Sequence, residues 1–252
     1  MDYLEERKQV LAVAKAIFQS GLVMGTWGNV SARCKSREQI REQDLDQSPK
    51  LNLEVNPEQS LELSPELNPQ QDQVMMIITP SGMDYETMDI VDLVQVDAQG
   101  QVVQGQFKPS TESALHLAIY RARPLVNAIV HTHSLFATAF AVAGKSLPVI
   151  LEEMAQVIGH EVQVSPYAPC GTEALAETTV AALSPDKEAV FLANHGLVTL
   201  GKTPEEALTK ANVVEKACQI YIYAKVLGGS NTIPNEDIHT LQEAFKSYGQ
   251  KK

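Results

Sequence analysis

Three short apolar runs in this chain each end in chemistry, and that constrains its fold more than any bulk property. Residues 74–78, 128–131 and 189–193 are too short for buried helices and rich in branched or aromatic side chains, so they read as buried strands. The first runs into Thr79-Pro80-Ser81-Gly82, the second into His131-Thr132-His133 and the third into Asn194-His195-Gly196. Helical spacing fills much of the remainder. Residues 2–20 carry Leu4, Val10, Leu11, Ala14, Ile17 and Phe18 on one face. Residues 110–123 carry Ala114, Leu115, Ala118, Ile119 and Ala122 and stop before Pro124. Thr203-Pro204-Glu205-Glu206 is a capping box with proline at the first helical position, opening a helix that runs to about Gly228. Residues 91–97 and 102–103, separated by a Gly-containing turn, predict a hairpin. Strands mixed with long helices, some strands joined as hairpins, predict an α/β or α+β sheet covered by helices.

One segment breaks this pattern. Residues 37–73 hold nine acids and three bases, with Pro49, Pro57, Pro65 and Pro69, so over half of the net charge of −11 lies there. Such a stretch lacks the apolar residues that offset ordering entropy and reads as a solvated insertion, with a docked hairpin around residues 51–55 as the alternative. No repeat or second domain boundary stands out, so residues 1–252 read as one domain carrying this insertion.

The acidic balance argues against general nucleic-acid binding, where a basic footprint supplies affinity. No stretch approaches the roughly 18 apolar residues of a membrane-spanning helix. The charged N-terminus reads as a helix and not as a signal peptide. Cys34, Cys170 and Cys218 are scattered and form no Cys-x-x-Cys, which argues against a disulfide framework and a thiolate zinc site and fits a reduced cytoplasm.

The chemistry concentrates at the strand ends. Positions i and i+2 of a strand point to one face about 6.6 Å apart, which lets His131 and His133 converge on one ion at roughly 2.0–2.1 Å each. Taken alone, the pair reads equally well as two polar residues where a strand enters a loop. His195 at the end of another core strand shifts the balance, because a catalytic zinc takes three protein ligands and an open position. Pro109-Ser110-Thr111-Glu112 begins a helix, where N–H groups and hydroxyls suit an anion and Glu112 gains from the helix dipole; simple capping is the plainer alternative. His116, one turn on, reads as a packed residue or a support for that carboxylate. The small polar turns at Gly25-Thr26, Gly28-Asn29 and Ser81-Gly82 let backbone approach a ligand closely, although turns use these residues routinely. As a set they suggest a phosphate pocket beside a metal.

Five motifs in order make that set specific: GTWGNVSAR (25–33), ITPSGMDYE (78–86), KPSTE (108–112), AIVHTHS (128–134) and ANHGLV (193–198). In them the chain resembles the class II aldolase and adducin head-domain family, and within it the L-fuculose-phosphate aldolases, over most of residues 2–230. The resemblance implies a three-layer α/β/α sandwich around a mostly antiparallel mixed sheet. It implies Zn2+, with Mn2+ or Co2+ as alternatives, held by His131, His133 and His195. It makes Glu112 the catalytic acid/base and a resting-state ligand. It assigns Thr26, Asn29, Ser81, Gly82, Ser110 and Thr111 to the substrate phosphate.

The implied activity is reversible cleavage of a phosphorylated sugar, a ketose 1-phosphate, to dihydroxyacetone phosphate and an aldehyde. The implied form is a homotetramer with active sites at subunit interfaces. Related enzymes epimerise, dehydrate or decarboxylate sugar phosphates. The 4-epimerase pattern carries Asp at the position of Glu112, and the dehydratases place their glutamate near Glu152 and Glu153. Those two residues are candidates for the aldehyde-side acid, or are solvated loop charges, and Tyr248 is a candidate for a C-terminal catalytic tyrosine. A non-catalytic adducin-like oligomerisation module is the reading from another class, and the three histidines weigh against it.

Overall fold

The computed structural model describes residues 2–34 and 74–246. The acidic insertion expected at 37–73, its alternative hairpin and Tyr248 lie outside the described residues. Among the described residues, eight strands form one sheet: β1 Asn29–Arg33, β2 Met76–Ile78, β3 Val94–Val96, β4 Val102–Gln104, β5 Ala128–Thr132, β6 Gln163–Ser165, β7 Ala189–Leu192 and β8 Gly196–Gly201. Their order across the sheet is β4-β3-β2-β1-β5-β8-β7-β6. The β6–β7 pair is parallel and the other neighbours are antiparallel. The described helices are α1 Leu4–Gln19, α2 Ser113–Ala122, α3 Leu135–Ala143, α4 Glu152–Val157, α5 Glu173–Leu183, α6 Pro204–Val226 and α7 Asn235–Lys246.

The period-2 alternation of the strands sorts their side chains into two cores. Ile77, Val130, Phe191 and Leu197 join Val10, Val13 and Ile17 of α1, Phe140 of α3, Met154 of α4 and Ala207, Ala211 and Val214 of α6. Their chain neighbours Met76, Ile78, Ile129, Val190, Leu192, Val198 and Leu200 face the other way, against Leu115 and Ile119 of α2 and Leu175 and Leu183 of α5. Helices therefore cover both faces of a mostly antiparallel sheet, the three-layer α/β/α sandwich expected from the sequence. Burial on both faces is why the central strands are continuously apolar. Each large side chain so buried contributes about 1.5–3 kcal/mol.

One local expectation holds and another shifts. The hairpin near residue 100 forms, with Asp97 accepting from the N–H groups of Gln99 and Gln101 in its turn. The second helix starts at Ser113, not Ser110. Residues 110–112 form a turn instead, in which Ser110 N–H donates to Thr79 O at 3.1 Å and its hydroxyl accepts from Glu112 N at 3.3 Å. Glu112 is consequently the residue before the helix, and its carboxylate is free to turn inward.

Candidate active site

The site lies where β1, β5 and the β7–β8 turn meet at one end of the sheet. Antiparallel register sets Asn29 opposite His131 on one side of β5 and Val198 opposite His131 on the other. His195 occupies the tight turn between β7 and β8, where its N–H donates to Leu192 O at 3.0 Å and Asn194 takes the left-handed conformation at φ 58°. Gly196 brings this turn against β5, since a Cβ there would overlap Thr132 O and press on the His131 and His133 rings. Gly28 does the same from the other side. At φ +83° its added Cβ would come 2.8 Å from His131 O. Tyr85 fixes that loop by donating its hydroxyl to Gly28 O at 2.7 Å.

The three imidazoles pack edge to face with ring centres 4.8 Å apart in each pair. His131 is fully buried, and its Nδ1 lies 3.0 Å from Leu197 O. A carbonyl only accepts, so Nδ1 carries the proton and Nε2 is bare. That bare nitrogen sits 2.9 Å from His133 Nε2 and 3.2 Å from Glu112 Oε2. Burial, reinforced by neighbouring histidines, pushes His131 and His133 down to about 3, so both rings are neutral near neutral pH. A neutral imidazole keeps one nitrogen bare, so each of these rings can offer a lone pair to a common ion.

Glu112 is 4% exposed and commits Oε2 to the Asn29 amide, which donates at 2.8 Å. Its Oε1 lies 3.5 Å from His195 Nε2 and has no hydrogen-bond partner among the described residues. Three imidazoles and a carboxylate with an orphaned oxygen, converging on one point, are the donor set of a divalent ion. The residues present fit such an ion.

A cavity of about 240 Å³ opens onto this cluster. Thr26, Asn29, Ser81, Gly82, Ser110 and Thr111 line it together with Glu112, His133 and His195. All six residues expected at the phosphate thus share one pocket with the histidines. Their loops are laced together by Ser81 N–H to Lys108 O at 2.9 Å and by the Ser110–Thr79 bond. His116 does not reach the Glu112 carboxylate. Its Nδ1 meets the Ser31 hydroxyl at 2.6 Å, and burial drives its pKa down to about 3, so it is a packed neutral ring. Glu152 and Glu153 open α4 and are not among the residues lining the cavity. Glu153 instead pairs with Lys216 on α6.

Several residues at the site went unmarked by sequence reasoning. Trp27, largely exposed, stacks on His133 with ring centres 6.5 Å apart and planes 7° from parallel. Cys170 lines the cavity, its thiol pushed up to about 11 by desolvation and by the Glu112 carboxylate. Glu215 reaches from α6 to the start of α3, directly after His133. It accepts from the Ser134 hydroxyl at 2.7 Å and from the N–H groups of Phe136 and Ala137 at 2.9 and 2.8 Å. Trp27 was within reach of sequence reasoning, since it interrupts a loop of glycine and small polar residues. Cys170 and Glu215 carry no such local mark.

Residues 8–222 match the family model of the Class II Aldolase and Adducin N-terminal domain. The chain belongs to that family. It is 32% identical over 247 residues to the 5-deoxy-D-ribulose 1-phosphate aldolase of Bacillus thuringiensis serovar kurstaki, covering 98% of both chains. It is 35% identical over 177 residues to the L-fuculose phosphate aldolase of Escherichia coli, covering 69% of this chain and 80% of that one. Among solved structures, an L-fuculose 1-phosphate aldolase superposes with a TM-score of 0.77 at 30% identity over 96% of each chain. The matched region spans the five motifs and every residue of the histidine–glutamate cluster, so the class II aldolase fold carries the site described above.

Proposed function

We propose that this chain is a metal-dependent aldolase that reversibly cleaves a ketose 1-phosphate of the ribulose or fuculose type to dihydroxyacetone phosphate and an aldehyde. The observation that carries the reading is the orphaned Glu112 Oε1 facing His195 beside the bare His131 nitrogen. His131, His133 and His195, with Glu112 in the resting state, hold the ion, for which zinc suits the imidazole set best. When bound, it supplies Lewis acidity to the substrate carbonyl and stabilises negative charge where it develops.

The remaining work falls to this chain's own residues. Asn29, Ser81, Gly82, Ser110 and Thr111, with Thr26 beside them, present hydroxyl, amide and backbone N–H groups to the substrate phosphate and so fix its orientation. As C3–C4 breaks, the C4 hydroxyl gives its proton to solvent and becomes the aldehyde carbonyl, while the bonding pair stays on the phosphorylated fragment as an enediolate and Glu112 takes up a proton from solvent. Glu112 delivers a proton to C3 of that enediolate and removes it in the synthetic direction. Its position fits both roles, because Asn29 holds one oxygen and leaves the other free. Glu152 and Glu153, which dehydratase chemistry calls for, lie outside the cavity lining, and this supports the aldolase reading.

A homotetramer accords with large apolar side chains left open on one chain, among them Leu125, Leu135, Val226 and Leu227 at 73–89% exposure. A cytoplasmic setting accords with three free cysteines, and no described helix is long and apolar enough to cross a membrane.

The test is release of dihydroxyacetone phosphate from a panel of ketose 1-phosphates, with and without a chelator. Chelator-sensitive release supports the reading, and the fastest sugar identifies the aldehyde side. No release from any sugar by metal-loaded protein overturns it.

A further inference from the structure

The histidine triad is not the one convergence of ligand atoms at this site. Cys170 Sγ, a carboxylate oxygen of Glu112 and a ring nitrogen of His195 also lie within 4.8 Å of one another. The sequence argued against thiolate ligation because no second cysteine stands near Cys170. The folded chain removes that objection by bringing a carboxylate and an imidazole to it from residues 58 and 25 positions away. Cys170 is exposed at the cavity and sits in a turn closed by the Thr172 hydroxyl, which donates to Pro169 O at 2.7 Å, while the next residue, Gly171, takes φ +76° beside Thr111. The second observation is again the Glu112 oxygen. It belongs to a side chain 96% buried, and the hydrogen bonds of the described residues leave it unpartnered on the His195 side, where Cys170 also stands.

We propose that Cys170 is a further ligand of the metal centre, completing with Glu112 and His195 a mixed sulfur, oxygen and nitrogen face that a thiophilic divalent ion engages when no substrate is bound. The inference rests on the metal-centre reading above. His131 and His133 would hold the ion from β5 and the residues after it, and Cys170, which lines the cavity, would reach it from where substrate oxygens must arrive. The thiol is therefore a ligand that substrate displaces. Forming the metal–sulfur bond releases the thiol proton to solvent, with no change of oxidation state. A thiolate in this position biases the site toward Zn2+, Co2+ and Cd2+ over Mg2+ and Mn2+.

The experiment is titration of the metal-free full-length chain with Co2+, followed in the visible for uptake and in the near ultraviolet for sulfur-to-cobalt charge transfer. The wild type is expected to show both signals. Cys170→Ser and Cys170→Ala are expected to keep the visible bands, lose the charge-transfer band and bind Co2+ about tenfold or more weakly, at least the loss that removing an outer-shell partner causes. Visible bands without charge transfer in the wild type, or a charge-transfer band that survives in both variants, overturns the inference while leaving the histidine centre intact. Failure of the wild type to take up Co2+ at all overturns both this inference and the metal-centre reading.

Discussion

The histidine cluster and the polar loops facing it are neighbours, yet they are built by different means. His131 lies in a fully buried strand, its tautomer fixed by Leu197 O and its neighbours set by register on both sides. Ser81, Gly82 and Thr111 sit at the open rim, exposed and held by backbone bonds between loops. Desolvation keeps the His131 and His133 rings neutral and packing holds them in place, which suits ligands that must not be protonated. Exposure keeps the second hydrated and adaptable, which suits capture of an anion from solvent. One side of this cavity is specified by packing and the other by hydrogen bonds. Damage to the two sides should therefore look different.

The largest effect is expected from His131→Ala, which removes a ligand from the packed side. Metal uptake, measured by elemental analysis, and turnover should both vanish. Retention of metal would break the contrast.

Glu215→Ala attacks the same side indirectly, by leaving Ser134 and the first N–H groups of α3 without their acceptor right after His133. Metal affinity measured by competition with a chelator should fall about tenfold to a hundredfold, as for other outer-shell partners. An unchanged affinity with lowered thermal stability would reduce Glu215 to a helix cap.

Ser81→Ala probes the loop side and should be milder. Losing one hydrogen bond to a charged phosphate costs about 1.5–3 kcal/mol, which corresponds to a rise of roughly tenfold to a hundredfold in KM. Metal content should not change, and kcat should fall little. A loss of metal would show that the two sides are not independent.

The sequence revealed the packed side better than the open one, for a physical reason. His131, His133 and His195 each stand within three residues of the end of an apolar run, so strand geometry places them near sheet ends. The layered sandwich was legible in the same way, because buried strands and amphipathic helices carry their burial in their periodicity. The start of α2 was not, since Ser110 and Thr111 resemble helix caps but their segment is tied to another loop, with Ser110 N–H donating to Thr79 O and Lys108 O accepting from Ser81 N–H. Cys170 and Glu215 were invisible for the same reason. Glu215 acts 81 residues from Ser134, and Cys170 meets Glu112 only after α5 docks beside α2. Pairings of this kind exist only in the tertiary structure. Conversely, Glu152 and Glu153 looked like candidates because they are acids in the expected stretch, but α4 presents Glu153 to Lys216.

The account turns on Glu112 as the group that moves a proton while the histidines keep the ion. The most direct measurement is exchange of the C3 hydrogen of dihydroxyacetone phosphate with deuterated solvent, with metal content measured on the same samples of wild type and Glu112→Gln. The account predicts that the wild type exchanges, that the variant retains its metal, and that its exchange rate falls by about 10²–10⁴, the contribution of a positioned acid/base. A variant that exchanges at the wild-type rate with its metal in place would contradict it.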